Sequence, residues 1–253
     1  PETPIADLIH QALQAEQKGQ LDEACALLRR AAEGGDTPLT LNARLLLGRL
    51  LIYDDRHDEE AEAVLRTART QAEKAGAPRQ AASAIHLLAK LKRDQGQVRG
   101  AEYLDEAQQL LDEHDPLRLP GAPGPEAAQW FHYRGLIHDD RDELADAERR
   151  LFRAHELYRE IDFRPGLAQV SNSLANLMLK QGRSHSALQC ARFSLKLKQG
   201  LKDLYGQALS LGAMGQAYLL QARFEEARQA FLEDLDLSAR LNNQRGIGIV
   251  LNC

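Results

Sequence analysis

The chain has 253 residues, 43% of them hydrophobic and 27% charged, a balance that suits a folded chain and argues against disorder. Its 32 lysines and arginines against 37 aspartates and glutamates leave a formal charge of −5, spread along the sequence, which excludes nucleic-acid recognition through a basic surface. Aromatic residues are sparse at 5% while Ala and Leu dominate, so the composition leans all-α.

From Ile5 to Lys18 apolar residues recur at helical spacing (Ile5, Leu8, Ile9, Ala12, Leu13), and Gly19-Gln20 breaks the run before a second one, Leu21 to Glu33. Ala12 and Ala24, twelve apart, are small residues where two helices can cross closely. A second helical hairpin spans Leu39 to Asp55 and Asp58 to Ala75, with Gly48 and Ala61 thirteen apart. The third, Gln80 to Asp94 and Val98 to Leu111, pairs Ala89 with Ala101, and Ala107 falls one position early. Residues 112–126 read DEHDPLRLPGAPGPE, a loop whose prolines remove helix donors, expected to be an insertion between stacked repeats. A fourth hairpin follows, Ala127 to Asp140 and Glu143 to Ile161, with Gly135 and Ala147 as its small pair. The fifth, Leu167 to Gln181 and Ser184 to Gly200, pairs Ala175 with Ala187. The sixth, Leu209 to Ser238, breaks at Gln221-Ala222-Arg223 and pairs Gly215 with Ala227. Gln244 to Cys253 begins a seventh first helix. With a start at Pro1 and an end inside an apolar pattern, the chain is expected to be part of a longer protein.

Ala147, Ala187 and Ala227 fall at a strict forty-residue step, and two helices per period are the signature of a solenoid. Gly215 and Tyr218 in one helix with Ala227 and Phe231 in the next resemble the small and large positions of the tetratricopeptide repeat. The resemblance covers nearly the whole chain outside 112–126, and Trp130 and Phe131 fill the family's tryptophan-type position. At Ser194 and Asp234 polar residues stand where repeats one, two and four carry Ala31, Ala68 and Ala154. The forty-residue period resembles the subgroup found in kinesin light chains, polarity adaptors, bacterial peptide-sensing regulators and the sensor arms of signalling ATPases. The resemblance implies an all-α, right-handed α-solenoid of about six helix-turn-helix repeats that binds rather than catalyses. The expected organisation is repeats one to three over 1–111, the loop 112–126, repeats four to six over 127–243, and a truncated seventh over 244–253.

In such arrays the first helices line the concave groove, and residues three or four apart share a face. Phasing on the small residues puts Gln169, Asn172, Asn176 and Lys180 inward in repeat five, with Gln216 in repeat six and Asn252 in repeat seven. Asn172 and Asn176 are one turn apart, and carboxamides donate and accept at once, which suits the backbone of an extended peptide. The resemblance adds that paired asparagines of this kind grip ligand backbones; the alternative is that Asn172 bonds a neighbouring helix. The same phasing places Ser83, His86, Lys90 and Arg93 together in repeat three, with Arg49 from repeat two and Gln129 and His132 from repeat four. Most charged members are basic, which favours an acidic segment; a solvated helix face is the competing reading.

Other chemistry is less well supported. The segments Ile52-Tyr53-Asp54-Asp55-Arg56 and Ile137-His138-Asp139-Asp140-Arg141 could offer carboxylates to Mg²⁺ or Ca²⁺ and a base in His57 or His138, but both fall where a turn caps helices. Acidic helix starts such as Asp58-Glu59-Glu60 and Glu225-Glu226 complement helix dipoles. His132 and His138 are six apart, on different helix faces, and rule out a local zinc pair. Cys25, Cys190 and Cys253 form no CxxC pair, so no disulfide framework or zinc site is expected. No phosphate-loop, dinucleotide, zincin or hydrolase motif occurs. No apolar run reaches the length of a membrane span and no signal peptide opens the chain. The expectation is a cytoplasmic protein- or peptide-binding scaffold, the sensor or adaptor module of a larger protein, without enzyme activity, cofactor, nucleic acid or membrane partner. The alternative is a structural solenoid that self-assembles through its ends.

Overall fold

A computed structural model describes residues 3–52, 57–99, 101–113, 115 and 124–241; the side chains of 97–99 and 101 are outside the description. The described residues form twelve helices, α1 (Ile5–Gln17), α2 (Leu21–Ala32), α3 (Pro38–Leu51), α4 (Asp58–Lys74), α5 (Pro78–Arg99), α6 (Ala101–Asp112), α7 (Pro125–Asp140), α8 (Leu144–Glu160), α9 (Arg164–Lys180), α10 (Ser184–Leu201), α11 (Leu204–Leu220) and α12 (Phe224–Arg240). No strand occurs among them. The chain divides into two compact units, residues 1–137 and 138–253.

Unit 1 is held by one leucine or isoleucine from each of its seven helices. Leu8, Leu28, Leu47, Leu65, Leu88, Leu111 and Ile137 are each 4% exposed or less and belong to one cluster. Each helix from α1 to α5 packs on the next, and the odd-numbered helices also touch directly, α1 with α3 and α3 with α5. That is the stacking expected when a repeat can bury its apolar face only against its neighbours. Helix α3 starts on a reciprocal capping box, Thr37 with Thr40, with Pro38 fixing the first turn.

Unit 2 is built more finely, because its contacts are made by alanines. Ala175, Ala187, Ala191, Ala213, Ala217 and Ala227 are at most 4% exposed, and Met178, Leu188 and Tyr218 fill the space beside them. The Phe231 ring lies over Gly215, where an added Cβ would come within 2.5 Å of it. Side chains on the two helices leave no room there for even a methyl group.

The forty-residue period reappears in the turns of unit 2. Asp142, Gly182 and Ala222 occupy the left-handed region at φ of 57°, 71° and 56°. After each, an amide reaches back five residues: Glu143 to the His138 carbonyl, Arg183 to Met178 and Arg223 to Tyr218, at 2.9, 2.8 and 3.0 Å. This closes the helix end in a Schellman-type arrangement and fixes where the second helix departs.

Several boundaries differ from expectation, among them the start of α11 at Leu204 rather than Leu209. Helix α5 runs unbroken through Gly96 to Arg99, because Gly96 is a contact rather than a turn: an added Cβ would meet Leu104 of α6 at 2.9 Å. Helix α3 stops at Leu51 rather than Asp55.

Candidate functional site

The first-helix cations of unit 1 are paired with carboxylates. Arg49 on α3 donates to Glu16 of α1 at 2.7 Å. On α5, Lys90 donates to Asp94 at 2.6 Å and Arg93 reaches the same carboxylate at 3.4 Å. The structure brings His86, Gln129 and His132 together, but in the interior: His86 is 0% and His132 4% exposed. The His86 Nδ1 lies 3.4 Å from Gln129 Oε1, and the His132 ring stacks on Tyr133 with centroids 5.7 Å apart. Burial, with Arg93 and Lys90 adding to it, pushes the His132 imidazole down to about 3, so it is neutral at physiological pH. Burial also raises the Tyr133 phenol, helped by Asp94. The cations expected to attract an acidic segment thus already hold carboxylates. Asp94 and Tyr133 complete the arrangement and were not singled out in the sequence. The i to i+4 spacing of Lys90 and Asp94 was the available signal for the first.

In unit 2 the first-helix face is uncharged over most of its length. Gln169 and Asn176 on α9 and Gln216 on α11 are exposed, and Leu209 and Leu219 stand beside them at 43% and 37% exposure. Helices α9 and α11 touch directly, so these side chains share one surface. Lys180 is drawn to the end of this face, its amine 2.8 Å from the Asp139 carboxylate and 3.1 Å from the Asp139 carbonyl. Asn172 lies inward of Asn176, buried in the contact between α9 and α11. Asn252 lies outside the described residues.

Behind Asn172 runs a buried polar seam. Its Oδ1 accepts from Ser210 Oγ at 3.1 Å; Lys198 Nζ donates to the same Ser210 oxygen at 3.0 Å; Ser194 Oγ donates to the Ala168 carbonyl at 2.7 Å. Lys198 is 2% exposed, and burial lowers its amine to about 8. Ser194, which stands where repeats one, two and four carry alanine, is therefore a hydrogen-bonding residue of the seam. Its counterpart Asp234 is buried on α12, accepts from Ser238 at 3.1 Å, and is raised to about 6 by desolvation. The Ser194 departure was visible in the sequence, whereas Lys198 was not: a lysine on a second helix reads as solvent-exposed until its neighbours are known.

The two Asp-Asp segments fare differently. Asp54 and Asp55 lie outside the described residues. Asp139 is tied to Lys180, and His138 Nδ1 contacts the Glu143 carboxylate. Among the described residues no group of three or more His, Cys, Asp or Glu side chains could hold a metal ion. Cys25 is buried and its thiol is pushed up to about 11 by desolvation, as an inert core residue would be.

No protein-family model and no curated protein sequence matches the chain. Several solved structures share its fold. The crystal structure of BtubC (BKLC) from P. vanneervenii is similar over 95% of this chain and 93% of its own, with a TM-score of 0.53 and 19% identity. The crystal structure of a Rap protein complexed with competence and sporulation factor matches 97% of this chain and 72% of its own, at TM-score 0.66 and 11% identity. A signal transduction ATPase with a tetratricopeptide repeat sensor, from Pyrococcus horikoshii, matches 93% of this chain at TM-score 0.63 and 16% identity; this chain spans 36% of that protein. The fold is accordingly that of a tetratricopeptide-like α-solenoid, the class indicated by Gly215, Tyr218, Ala227 and Phe231. No helix among the described residues is long and apolar enough to cross a membrane.

Proposed function

We propose that the chain is a protein-interaction array, the sensor or adaptor module of a larger protein, and that it holds an extended segment of its partner along the first-helix face of unit 2. The observation that carries this is the exposed pair Asn176 and Gln216, forty residues apart, at equivalent positions of α9 and α11. Packed helices lie about 10 Å apart, and three residues of extended chain span about the same distance. Two carboxamides at that separation can each exchange donor and acceptor bonds with the ligand backbone. Leu209 and Leu219 supply apolar contact on either side, and Gln169 extends the amide row. Asn172 plays a narrower part than its neighbour: it is buried and its oxygen already accepts from Ser210.

The chemistry of this face favours an uncharged, partly apolar segment. An acidic preference would rest on Arg49, Lys90, Arg93 and Lys180, each of which already has a carboxylate beside it. The Rap protein of the same fold, solved with competence and sporulation factor, supports reading such an array as a ligand-binding device. The reading is tested by probing a random 15-residue peptide array with the chain and with the double variant N176A/Q216A. Peptides rich in apolar and neutral residues should be retained, with binding to the variant reduced about tenfold and its melting temperature unchanged. Equal binding by both proteins would overturn the assignment.

A further inference from the structure

The second helices of unit 2, α8, α10 and α12, form an outer face that the ligand reading leaves unused. Between α10 and α12 lies an open groove of about 450 Å³. Leu195 and Leu211 are among its apolar lining, Leu232 and Leu237 continue it, and Glu233 and Asp236 add two carboxylates. Leu211 is 5% exposed and Leu232 48%, so the first forms a floor and the second a wall. One repeat earlier, between α8 and α10, two aromatic rings stand at the equivalent place, Phe193 6.4 Å from His155 and itself exposed to solvent. A forty-residue step carries Phe193 to Glu233 and His155 to Leu195. Both rings are lost, and the groove stays open.

Phe193 is itself 43% exposed, and Phe152 on α8 is 42% exposed. The face therefore carries an aromatic knob and a groove lined by four leucines, three glutamines and two carboxylates, with α10 contributing to both. Charge follows the same division. Helix α10 exposes Arg192 and Lys196 and has no carboxylate, whereas α12 exposes Glu225, Glu226, Glu233 and Asp236 against Arg228 and Arg240. Glu225 and Glu226 are held by Arg228 and Arg223, and Asp236 is 3.7 Å from Arg240. Among the described residues, the one hydrogen bond to the Glu233 carboxylate comes from the Gln229 amide. Lys196 is exposed beside the knob.

We propose that this outer face is a self-complementary interface through which two copies of the chain pair around a two-fold axis. Phe193 of each copy enters the α10/α12 groove of the other, and Lys196 of each faces Glu233 of the other. A two-fold rotation places a knob over a groove and a positive helix over a negative one, twice, which is the requirement for a closed isologous contact. A buried phenyl ring removes about 150–250 Å² from water, so two of them with their leucine surrounds form a small interface and a weak, concentration-dependent dimer.

Sedimentation velocity of the chain from about 1 to about 500 µM, the range of such affinities, tests this together with the variants F193A, K196E, E233K and K196E/E233K. All three positions are on the surface, and a melting curve checks that each variant is folded. Mass should rise from monomer to dimer with concentration. F193A and each single charge reversal should weaken the dimer at least about tenfold, and the double reversal should regain what each single one loses. A monomer throughout, or a dimer indifferent to F193A, overturns the interface; a double reversal no better than the singles overturns the Lys196–Glu233 pairing. N176A/Q216A, which disables the proposed ligand face, should leave the dimer intact, so the two proposals fail separately.

Discussion

The two units show the same architecture with opposite treatments of their first-helix faces. In unit 1 the face is charged and its cations are already paired: Arg49 holds Glu16, Lys90 and Arg93 share Asp94, and His86 and His132 are buried beside Tyr133. In unit 2 the face is amide and leucine, and charge has moved to the seam behind it, where Lys198 meets Ser210. A surface whose polar groups are mutually paired offers a ligand little without first breaking those pairs. The unit 2 face instead exposes Asn176, Leu209 and Leu219 to solvent, with no ion pair to break over most of its length. This difference is what supports proposing the unit 2 face, rather than the unit 1 face, for recognition.

The largest effect should come from breaking the seam. In S210A the buried Lys198 amine loses its hydrogen-bond acceptor, which costs about 2–3 kcal/mol. Urea unfolding followed by helical circular dichroism should show an earlier transition. The fluorescence of Trp130, the chain's one tryptophan, reports unit 1 and should keep its midpoint.

Acidification separates the units next. His132 has a folded pKa of about 3 against an ordinary 6.5, so between those values the unfolded chain binds the extra proton. Stability conferred by the neutral ring is complete above 6.5 and is lost as pH falls, with a slope approaching about 1.4 kcal/mol per unit. Asp234 works in the other direction: raised to about 6 from 3.8, its contribution is complete below 3.8 and is lost as pH rises through 6. The Trp130 transition should therefore weaken by about 2 kcal/mol between pH 6.5 and 5, and H132L should flatten that dependence. D234N should remove the opposing trend from hydrogen exchange in α12.

D94N is a smaller perturbation that makes unit 1 resemble the cationic face expected from its sequence. With the shared carboxylate gone, Lys90 and Arg93 lose their ion pair at a cost of about 1 kcal/mol. An acidic peptide should then bind unit 1 in a salt-sensitive manner; no gain would mean that the remaining network still closes the face. The smallest effect concerns the turns. Ala222 stands at φ 56° where Gly182 occupies the equivalent turn, so A222G should raise the dichroism midpoint by about 0.5–1 kcal/mol.

The fold was legible because its signal is local. Small residues a fixed distance apart and polar breaks between apolar runs report helices and their crossings without knowledge of distant partners. The strict step through Ala147, Ala187 and Ala227 marks the region where that reading was best. It misjudged Gly96, since a glycine removed by close packing and a glycine that ends a helix look alike in one dimension. The site was less legible for the same reason. Arg49 and Glu16 are far apart in the chain, as are Asn172 and Ser210, so whether an inward-phased side chain is free or engaged depends on partners that periodicity does not identify. Phase alone brought Asn172 and Asn176 to one face; the structure distinguishes them, one buried against Ser210 and the other exposed.

The most direct measurement is a calorimetric titration of one array-selected peptide into the wild-type chain, into N176A/Q216A and into R49A/K90A. The account predicts that the unit 2 variant loses about tenfold in affinity while the unit 1 variant binds as wild type does. Loss confined to R49A/K90A would place recognition on the other face and contradict it.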